Sequence, residues 1–450
     1  MKSKRVFFEL SWFNSSDSSV KMKFEKETCN MAKPVTTKKS EVKPAIEKTK
    51  TAQDNVTDDF SADLIKMINK EHNSKIAFNL GTDTAPTDVK RWISTGSKQM
   101  DYIISNRRDG GLPEGRIVEI QGPPGIGKST LVSLIARSTQ QMGGIAVYID
   151  TENATNPEML ANMGVDVAKR FIFVQSPCTE EILNVIESTI LKARSMTKDV
   201  PVTVIWDSVS QSSPRAELEG DYDQNSIGLQ ARVLSKGMRK IANVIGGQNV
   251  LLVLVSQQRM KIGVLYGDPV TTAGGMAIPY SASVRIRLDG GSQIKDKDDN
   301  VIGINCTART IKNKVAKPFR KIGFRILFGR GIFESEELFD LLRVHCKENA
   351  KTPCKTNGKL VSIDGEGAWK TFTIANEKTG EIETEVKFYK QDFGPKVLDV
   401  PEYKEYVAAL MDAALVLGTG SAIEEHQTYE ESPEGEVGAQ GSSAEDIVVN

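Results

Sequence analysis

The chain has 450 residues, of which 39% are hydrophobic and 26% charged, with a formal net charge of -1. This length allows one large α/β domain with smaller appendages, and the near-neutral total gives no sign of nucleic-acid binding by itself. No apolar run approaches the roughly 20 residues of a membrane span, and no cleavage site follows the opening apolar stretch, so we expect a cytoplasmic protein without a membrane partner.

The charges are segregated at the two ends of the chain. Residues 31–50 are rich in lysine, whereas residues 421–450 are acidic and contain no Lys or Arg. Such segments are typical of solvated, disordered chain. We predict a disordered basic extension over residues 1–60 and a disordered acidic tail over residues 421–450.

Residues 61–92 are predicted to form an interaction arm. Leu64, Ile65 and Ile68 have the spacing of a short amphipathic helix, and Ser61 is a suitable N-cap for it. The following residues, 93–346, alternate apolar strands with helical stretches, which indicates a mainly parallel sheet. The predicted strands are Ile117–Ile120, Ile145–Ile149, Phe171–Val174, Val202–Trp206 and Val250–Val255.

The strand pattern changes after Val255. Three more strands are predicted at Val284–Leu288, Ile304–Ile311 and Phe324–Phe328, without helices between them. Strands that follow one another in this way pair antiparallel, since parallel pairs need a long crossover. We therefore expect an antiparallel extension of the sheet.

Residues 347–420 are predicted to form a small C-terminal domain of mixed α and β structure. It begins with a patch rich in Gly, Lys and Thr and ends with a helix around Tyr403–Leu417. Four aromatic residues are its core candidates: Trp369, Phe372, Phe388 and Tyr389.

One motif carries a clear chemical signal, because residues 122–130 fit the pattern G-x-x-x-x-G-K-[ST] between a predicted strand and a helical pattern. Glycines let backbone N–H groups turn toward phosphate oxygens, and the helix presents its positive end to them. Lys128 would reach the β- and γ-phosphates, and Ser129 would hold Mg²⁺. The predicted nucleoside-triphosphate site consists of Gly122, Pro123, Pro124, Gly125, Ile126, Gly127, Lys128, Ser129 and Thr130.

Acidic residues follow two of the predicted strands. Asp207 ends the strand Val202–Trp206, at the sheet edge where it would lie beside Mg²⁺. Asp150 and Glu152 follow a neighbouring strand, and Glu152 is suited to orient or deprotonate the water that attacks the γ-phosphate. Taken alone, each strand-end acid could equally be a solvated loop residue or a helix cap.

Further stretches keep a fixed order and spacing between residues 61 and 346. They are Ile93–Gly96, Gly110–Ile120, Tyr148–Glu152, Glu217–Gly220, Gln257–Gly263, Thr271–Gly275 and Ile311–Phe319. In this arrangement they resemble the RecA family of homologous-recombination ATPases. The resemblance implies a RecA-like P-loop ATPase core with a central, mainly parallel sheet, an N-terminal helical polymerisation arm and a small α+β C-terminal domain.

The C-terminal part is more similar to the phage-type UvsX recombinases. This similarity lies in Gly367–Phe372, in Glu377–Glu381 and in the helix after Pro401. We therefore expect a virus-encoded member that works in bacterial or phage-infected cytoplasm.

The resemblance implies roles for single residues in ATP hydrolysis. In the family, the residue that matches Glu152 activates water, and the residue that matches Gln257 senses the γ-phosphate beside Lys128 of the loop. Lys312 and Lys314 match lysines that reach the ATP of the neighbouring subunit. Met159 stands where relatives have a tyrosine stacked on adenine, so a softer thioether contact is expected there.

Two segments resemble the DNA-binding loops of the family, Glu217–Gly228 and Gln258–Gly275. Cationic side chains and bare backbone amides can contact phosphates at any sequence, and apolar side chains can wedge between bases. The candidate DNA-binding residues are Ile227, Gly228, Arg232, Arg259, Met260, Lys261, Ile262, Gly274 and Gly275.

The expected activity is that of a DNA-dependent ATPase that uses ATP and Mg²⁺, forms a helical filament on single-stranded DNA and exchanges it with homologous double-stranded DNA. A single-strand-binding protein or a loader would be a further partner. The first alternative is a RecA-like ATPase that remodels or translocates on DNA without strand exchange. The second is a filament protein that coats DNA without hydrolysis, against which Lys128, Ser129, Glu152 and Asp207 argue.

Overall fold

The computed structural model describes residues 52–82, 88–196, 199–221, 228–260, 270–272 and 274–417. The predicted acidic tail and residues 1–51 of the predicted basic extension lie outside these ranges. The chain divides into two compact units, Met1–Asn79 and Leu80–Asn450.

The first unit contains a long helix, α1 (Ala52–Glu71). It begins nine residues before Ser61, so the proposed cap at Ser61 is wrong. The apolar spacing of Val56, Phe60 and Leu64 continues the helical stripe upstream, which explains the earlier start. The chain after the helix folds back on its last turn. There the Oδ1 atom of Asn69 accepts hydrogen bonds from the backbone N–H groups of residues 76 and 77.

The second unit contains a large sheet with helices on both faces. Its first elements are β1 (Trp92–Ile93), α2 (Lys98–Ser105), β2 (Leu112–Pro113), β3 (Ile117–Gly122), α3 (Lys128–Gln141), β4 (Ile145–Asp150), α4 (Pro157–Asn162), β5 (Phe171–Gln175), α5 (Thr179–Met196) and β6 (Val202–Asp207). The next are α6 (Arg215–Leu218), α7 (Leu229–Gln248), β7 (Val250–Met260), β8 (Val270–Thr272), α8 (Ala277–Ser281), β9 (Val284–Lys295), β10 (Val301–Asn313), β11 (Lys321–Leu327) and β12 (Gly331–Phe333).

The strands of the large sheet run in the order β12-β11-β10-β9-β3-β7-β6-β4-β5, and β8 pairs with β7 outside this path. Pairing is parallel from β9 through β3, β7, β6 and β4 to β5, and antiparallel from β9 to β12. The predicted parallel centre and antiparallel extension are both confirmed.

Burial explains why the central strands are continuous apolar runs. Every residue of β3 and β6 is buried, because α3 covers one face of the sheet while α5 and α7 cover the other. A sheet covered on both faces has no solvent side on which polar residues would alternate. The polar residues at the ends of these strands are therefore exceptions that need a chemical explanation.

A smaller sheet follows the large one. Its elements are α9 (Ser335–Glu348), β13 (Cys354–Thr356), β14 (Lys359–Asp364), β15 (Trp369–Asn376), β16 (Ile382–Tyr389) and α10 (Lys404–Leu415). The four strands pair antiparallel in chain order. Their inner face packs on α9 and α10 around Phe339, Phe372 and Phe388, so the predicted α+β architecture and its final helix are confirmed.

The two other aromatic core candidates are not in this core. Trp369 and Tyr389 are 53% and 43% exposed, and they stack on each other with ring centroids 4.4 Å apart. Trp369 is three positions from Phe372 in the same strand, and side chains alternate between faces with a period of two. Trp369 and Phe372 therefore point to opposite faces of the sheet. The prediction that Trp369 and Tyr389 belong to the core is wrong.

Candidate functional site

The phosphate-loop motif connects β3 to α3. Gly125 and Gly127 have φ values of 71° and 88°, in the left-handed region that favours glycine. A Cβ atom on Gly127 would lie 2.2 Å from Cδ1 of Ile326 in β11, so the loop also needs glycine there for close approach. Gly127 is the N-cap residue of α3 and has no side chain to occupy the first N–H groups of the helix. These groups remain suited to an anion.

The side chain of Lys128 folds over the loop. Its Nζ atom donates to the carbonyl oxygens of Gly122 at 3.1 Å and Pro123 at 2.8 Å. Burial lowers the pKa of Lys128, while the nearby carboxylates of Asp207 and Glu152 oppose this shift. The ammonium group is thus held at the mouth of the loop, between the loop carbonyls and two acids.

Asp207 lies buried at the end of β6 and contacts two hydroxyl groups. The Oη atom of Tyr148 donates to its Oδ2 atom at 2.8 Å, and Ser129 also hydrogen-bonds to the carboxylate. Burial raises the pKa of Asp207, whereas these hydrogen bonds lower it. Tyr148 was not predicted as a site residue, although its place on β4 beside β6 could have indicated it.

The oxygen atoms of Ser129 and Asp207 fit Mg²⁺. This ion prefers oxygen ligands and is usually held by one or two carboxylates together with substrate phosphates. Within the described ranges, no group of three or more His, Cys, Asp or Glu residues is arranged to hold a metal. The donors present therefore suit a metal that is shared with a phosphate ligand rather than one enclosed by protein.

Glu152 lies at the centre of a hydrogen-bonded group. Its Oε1 atom accepts from Ser208 Oγ at 2.7 Å and from Gln257 Nε2 at 2.8 Å. Gln257 is in turn fixed through its backbone N–H, which donates to Ser210 Oγ at 2.9 Å. The structure thus joins Glu152 from the end of β4, Ser208 from the turn after β6 and Gln257 from β7.

The other strand-end acid has a structural role. The carboxylate of Asp150 accepts hydrogen bonds from the backbone N–H groups of Glu152, Asn153 and Thr155. Three of its roughly four acceptor positions are therefore occupied by the turn that carries Glu152. Of the two acids after β4, Asp150 shapes the loop and Glu152 presents the carboxylate.

These residues line one cleft of about 290 Å³. The polar side is formed by the phosphate loop, Glu152, Asp207 and Gln257, and the apolar side by Ile304, Ile326 and Phe328. Phe328 is not among the predicted site residues. It follows β11 directly and lies two residues after buried Ile326. Side chains two residues apart in a strand share a face, and this could have indicated that Phe328 faces the cleft. Met159 lies half-buried in α4 and outside the lining of this cleft.

Lys312 and Lys314 lie at the end of β10 and just beyond it, also outside that lining. The Nζ atom of Lys312 donates to the carbonyl oxygens of Pro279 at 2.6 Å and Tyr280 at 3.1 Å. Burial, with Lys314 and Arg285 nearby, lowers the pKa of Lys312. Lys314 is exposed. Their predicted contact with a neighbouring subunit's ATP stays a prediction.

The second candidate DNA loop continues from the cleft. β7 extends past Gln257, and its residues Gln258, Arg259 and Met260 pair antiparallel with β8. The side chain of Arg259 is exposed. Residues 261–269 and 273, and with them Lys261 and Ile262, lie outside the described residues. The strand that carries Gln257 therefore continues as the first strand of a β-hairpin, and β8 is the second strand.

The two candidate loops meet at α7. Gly228 is its N-cap residue and Arg232 is exposed on its first turn. Gly274 has a φ of 83°, and a Cβ atom there would lie 2.4 Å from Cδ1 of buried Leu234. Glycine at 274 thus lets the second loop pack against the helix that follows the first. Ile227 lies outside the described residues, and Gly275 follows with a φ of 67°.

Comparison with known proteins agrees with this geometry. The RecA N-terminal domain family matches residues 61–333. Protein RecA of Legionella pneumophila, and that of its strains Corby and Lens, are each 35% identical over 328 residues, which cover 73% of this chain and 86% of the relative.

In the part of the chain that the structure describes, no helix is both long enough and apolar enough to span a membrane. The family match covers the phosphate loop, the strand-end acids and both candidate DNA loops. The chain belongs to the RecA family of DNA-dependent ATPases, and it acts in DNA recombination and repair.

Proposed function

We propose that the protein polymerises on single-stranded DNA in the presence of ATP and catalyses homologous pairing and strand exchange with a duplex. One observation carries the proposal. Gln257 contacts Glu152 in the cleft, and the same strand continues into the hairpin of Arg259. Because one strand joins both sites, a change at the phosphates can be passed to the residues that meet DNA.

ATP would bind in the cleft with its phosphates in the loop Gly122–Thr130. Lys128 would balance charge on the β- and γ-phosphates, and Glu152 would take the proton of the attacking water. Gln257 would contact the γ-phosphate as a hydrogen-bond donor. Ser129 and Asp207 would hold Mg²⁺, which when bound neutralises charge on the phosphate oxygens.

The adenine base would meet apolar side chains. Phe328 is 54% exposed and lines the cleft, so its ring is available for stacking. Met159 would add a thioether contact if α4 borders the bound base. Nucleotide preference would then depend on these two residues more than on the phosphate loop.

DNA would be bound mainly through its backbone. Arg232 and Arg259 would contact phosphates, as would Lys261, while Gly228, Gly274 and Gly275 would let the backbone approach closely. Ile227, Met260 and Ile262 would wedge between bases. Since base pairing between the strands reads the sequence, the protein itself should show little sequence preference.

Filament assembly would place each ATP between two copies of the chain. Lys312 and Lys314 would reach the nucleotide of the neighbouring copy, and the arm at 61–92 would pack on that neighbour. Such a head-to-tail contact generates an open helix. The exposed apolar side chains of Leu64 and Met67 on α1 support the role of the arm. A single-strand-binding protein or loader would assist assembly.

We also propose that the protein is a virus-encoded, UvsX-like member, which the stretches around Gly367–Phe372 and Glu377–Glu381 support. The alternative of a RecA-like ATPase that remodels or translocates on DNA without strand exchange is not favoured by the family match or by the identity to RecA over most of the chain.

The test is ATP hydrolysis with and without single-stranded DNA, together with displacement-loop formation from a homologous oligonucleotide and a supercoiled plasmid. We expect DNA-stimulated hydrolysis and homology-dependent pairing, and loss of both in Lys128→Ala. Stimulated hydrolysis without pairing, even with a single-strand-binding protein added, would contradict strand exchange. Unchanged pairing in Lys128→Ala would contradict the requirement for nucleotide.

A further inference from the structure

We propose that Ser208 is a positioning residue for ATP hydrolysis. It holds one carboxylate oxygen of Glu152 in place so that the other oxygen receives the attacking water. The inference rests on the proposed role of Glu152 as the group that activates water, and it assigns a task to a residue that lies outside the lining of the cleft.

Two donors converge on the same oxygen of Glu152. Ser208 Oγ donates to Oε1 at 2.7 Å, and Gln257 Nε2 donates to Oε1 at 2.8 Å. A carboxylate oxygen offers two lone pairs, so these two hydrogen bonds occupy the acceptor capacity of Oε1. A water molecule that transfers its proton to Glu152 must therefore approach Oε2. The pair of donors selects which oxygen acts.

The backbone of Ser208 is fastened to the loop of Glu152. Its N–H donates to Thr151 Oγ1 at 2.9 Å, and Thr151 Oγ1 donates to the carbonyl oxygen of Ser208 at 2.6 Å. The N–H of Thr151 also donates to the carbonyl oxygen of Asp207 at 2.9 Å. Ser208 is fully buried. Because its backbone is fixed by these contacts, the side chain of Ser208 can hold a catalytic group in one orientation.

The two donors differ in what else they are connected to. Gln257 lies on the strand that leads into the candidate DNA hairpin, and its Nε2 atom has a second hydrogen that could be donated to the γ-phosphate. Ser208 lies in the turn after β6 and is joined through Thr151 to the loop that carries Glu152. The two donors therefore reach Oε1 from different elements, Gln257 from β7 and Ser208 from the turn after β6.

The main test is steady-state ATP hydrolysis by the full chain with saturating single-stranded DNA. We expect Ser208→Ala to lower kcat about tenfold, by analogy with other residues that orient a catalytic group, and to leave KM within about twofold because Ser208 does not touch the substrate. Ser208→Cys retains a weak donor, so its kcat should lie between those of Ser208 and Ala.

The control is Ser212→Ala, in the same turn. Ser212 is also buried, and its Oγ atom donates to the carbonyl oxygen of Val209 at 3.0 Å, away from the cleft. Ser212 Oγ also accepts from Thr179 Oγ1 at 3.1 Å, so its removal costs at least as much buried hydrogen bonding without touching Glu152, and kcat should not fall as it does in Ser208→Ala. An equal fall in both variants would overturn the inference, and so would a lower kcat in Ser208→Cys than in Ser208→Ala.

A double-mutant cycle tests the shared oxygen. Because Ser208 and Gln257 both hold Oε1, the loss caused by Gln257→Ala should be larger in the Ser208→Ala background than in the parent. Independent, multiplicative effects would contradict the shared clamp.

The variant Glu152→Gln distinguishes the inference about Ser208 from the proposal that Glu152 activates water. If Glu152→Gln hydrolyses ATP as fast as the parent, the proposed role of Glu152 is wrong and that of Ser208 fails with it. If Glu152→Gln is inactive while Ser208→Ala keeps the parent kcat, only the inference about Ser208 is wrong.

Discussion

The nucleotide cleft and the C-terminal sheet use burial in opposite ways. In the cleft, buried polar groups lie at the ends of elements, as Asp207 does at the end of β6 and Lys128 at the start of α3. In the C-terminal sheet, the buried groups are rings such as Phe372 and Phe388, while the stacked pair of Trp369 and Tyr389 faces out. Burial in the first region prepares chemistry, and burial in the second provides only packing. Substitutions should therefore separate activity from stability.

The largest expected effect is on the stability of the C-terminal sheet. Phe372→Ala removes a fully buried ring, which should lower the free energy of unfolding by about 3–5 kcal/mol. Trp369→Ala is the matched control in the same strand, and its cost should be within about 1 kcal/mol because the ring is half exposed and loses mainly one aromatic pair. Urea unfolding followed by circular dichroism would measure both. Similar losses in the two variants would contradict the two-faced sheet.

The next effect is on activity in the cleft. Asp207→Asn keeps the size of the side chain and its contact with Tyr148 but removes the negative charge beside Ser129. We expect kcat to fall roughly 100-fold, at the upper end of the range for residues that support a metal site, with little loss of thermal stability. Raising the Mg²⁺ concentration should recover part of the rate. If the variant hydrolyses ATP as fast as the parent at low Mg²⁺, Asp207 does not help to hold the metal.

A further effect concerns a buried carboxyl outside the cleft. Burial raises the pKa of Asp101 in α2 from 3.8 to about 7, and Glu334 adds to the shift while Ser94 and Thr95 oppose it through hydrogen bonds. The folded state thus holds this proton more tightly than the unfolded chain does. The resulting stability is full below about pH 4 and is lost as the pH rises to about 7.

Asp101→Asn should remove that decline. The free energy of unfolding of the variant, measured in urea at pH 5, 6 and 7.5, should fall less with rising pH than that of the parent. Asp63→Asn, at an exposed position of α1, is the control and should keep the parent slope. If Asp101→Asn also keeps the parent slope, Asp101 does not titrate in this range.

The same contrast explains what could be predicted from the sequence. The parallel strands were predicted because both of their faces are covered, so that their apolar runs are continuous. The prediction that all four C-terminal aromatic residues share one core rests on residue type alone, and it holds only for Phe372 and Phe388. The alternation between Trp369 and Phe372 was already present in the sequence and decides the face.

Within the cleft, the predictable residues were those fixed by a local motif. Lys128 and Ser129 follow from the loop pattern, and Asp207 from its place at a strand end. Ser208 and Phe328 could not be assigned in this way, because their roles depend on contacts with residues far away in the chain. The sequence already favours Glu152 over Asp150, and the hydrogen bonds of the turn add that Asp150 shapes the loop.

The phosphate loop rests against Ile326 of β11, and the cleft is completed by Phe328 just after that strand. About two hundred residues of chain thus separate the loop from its opposite wall. During synthesis from the N-terminus, the phosphate loop leaves the ribosome long before the wall that it needs. The complete cleft therefore forms only late in translation, after the residues proposed to hold the phosphates have been made.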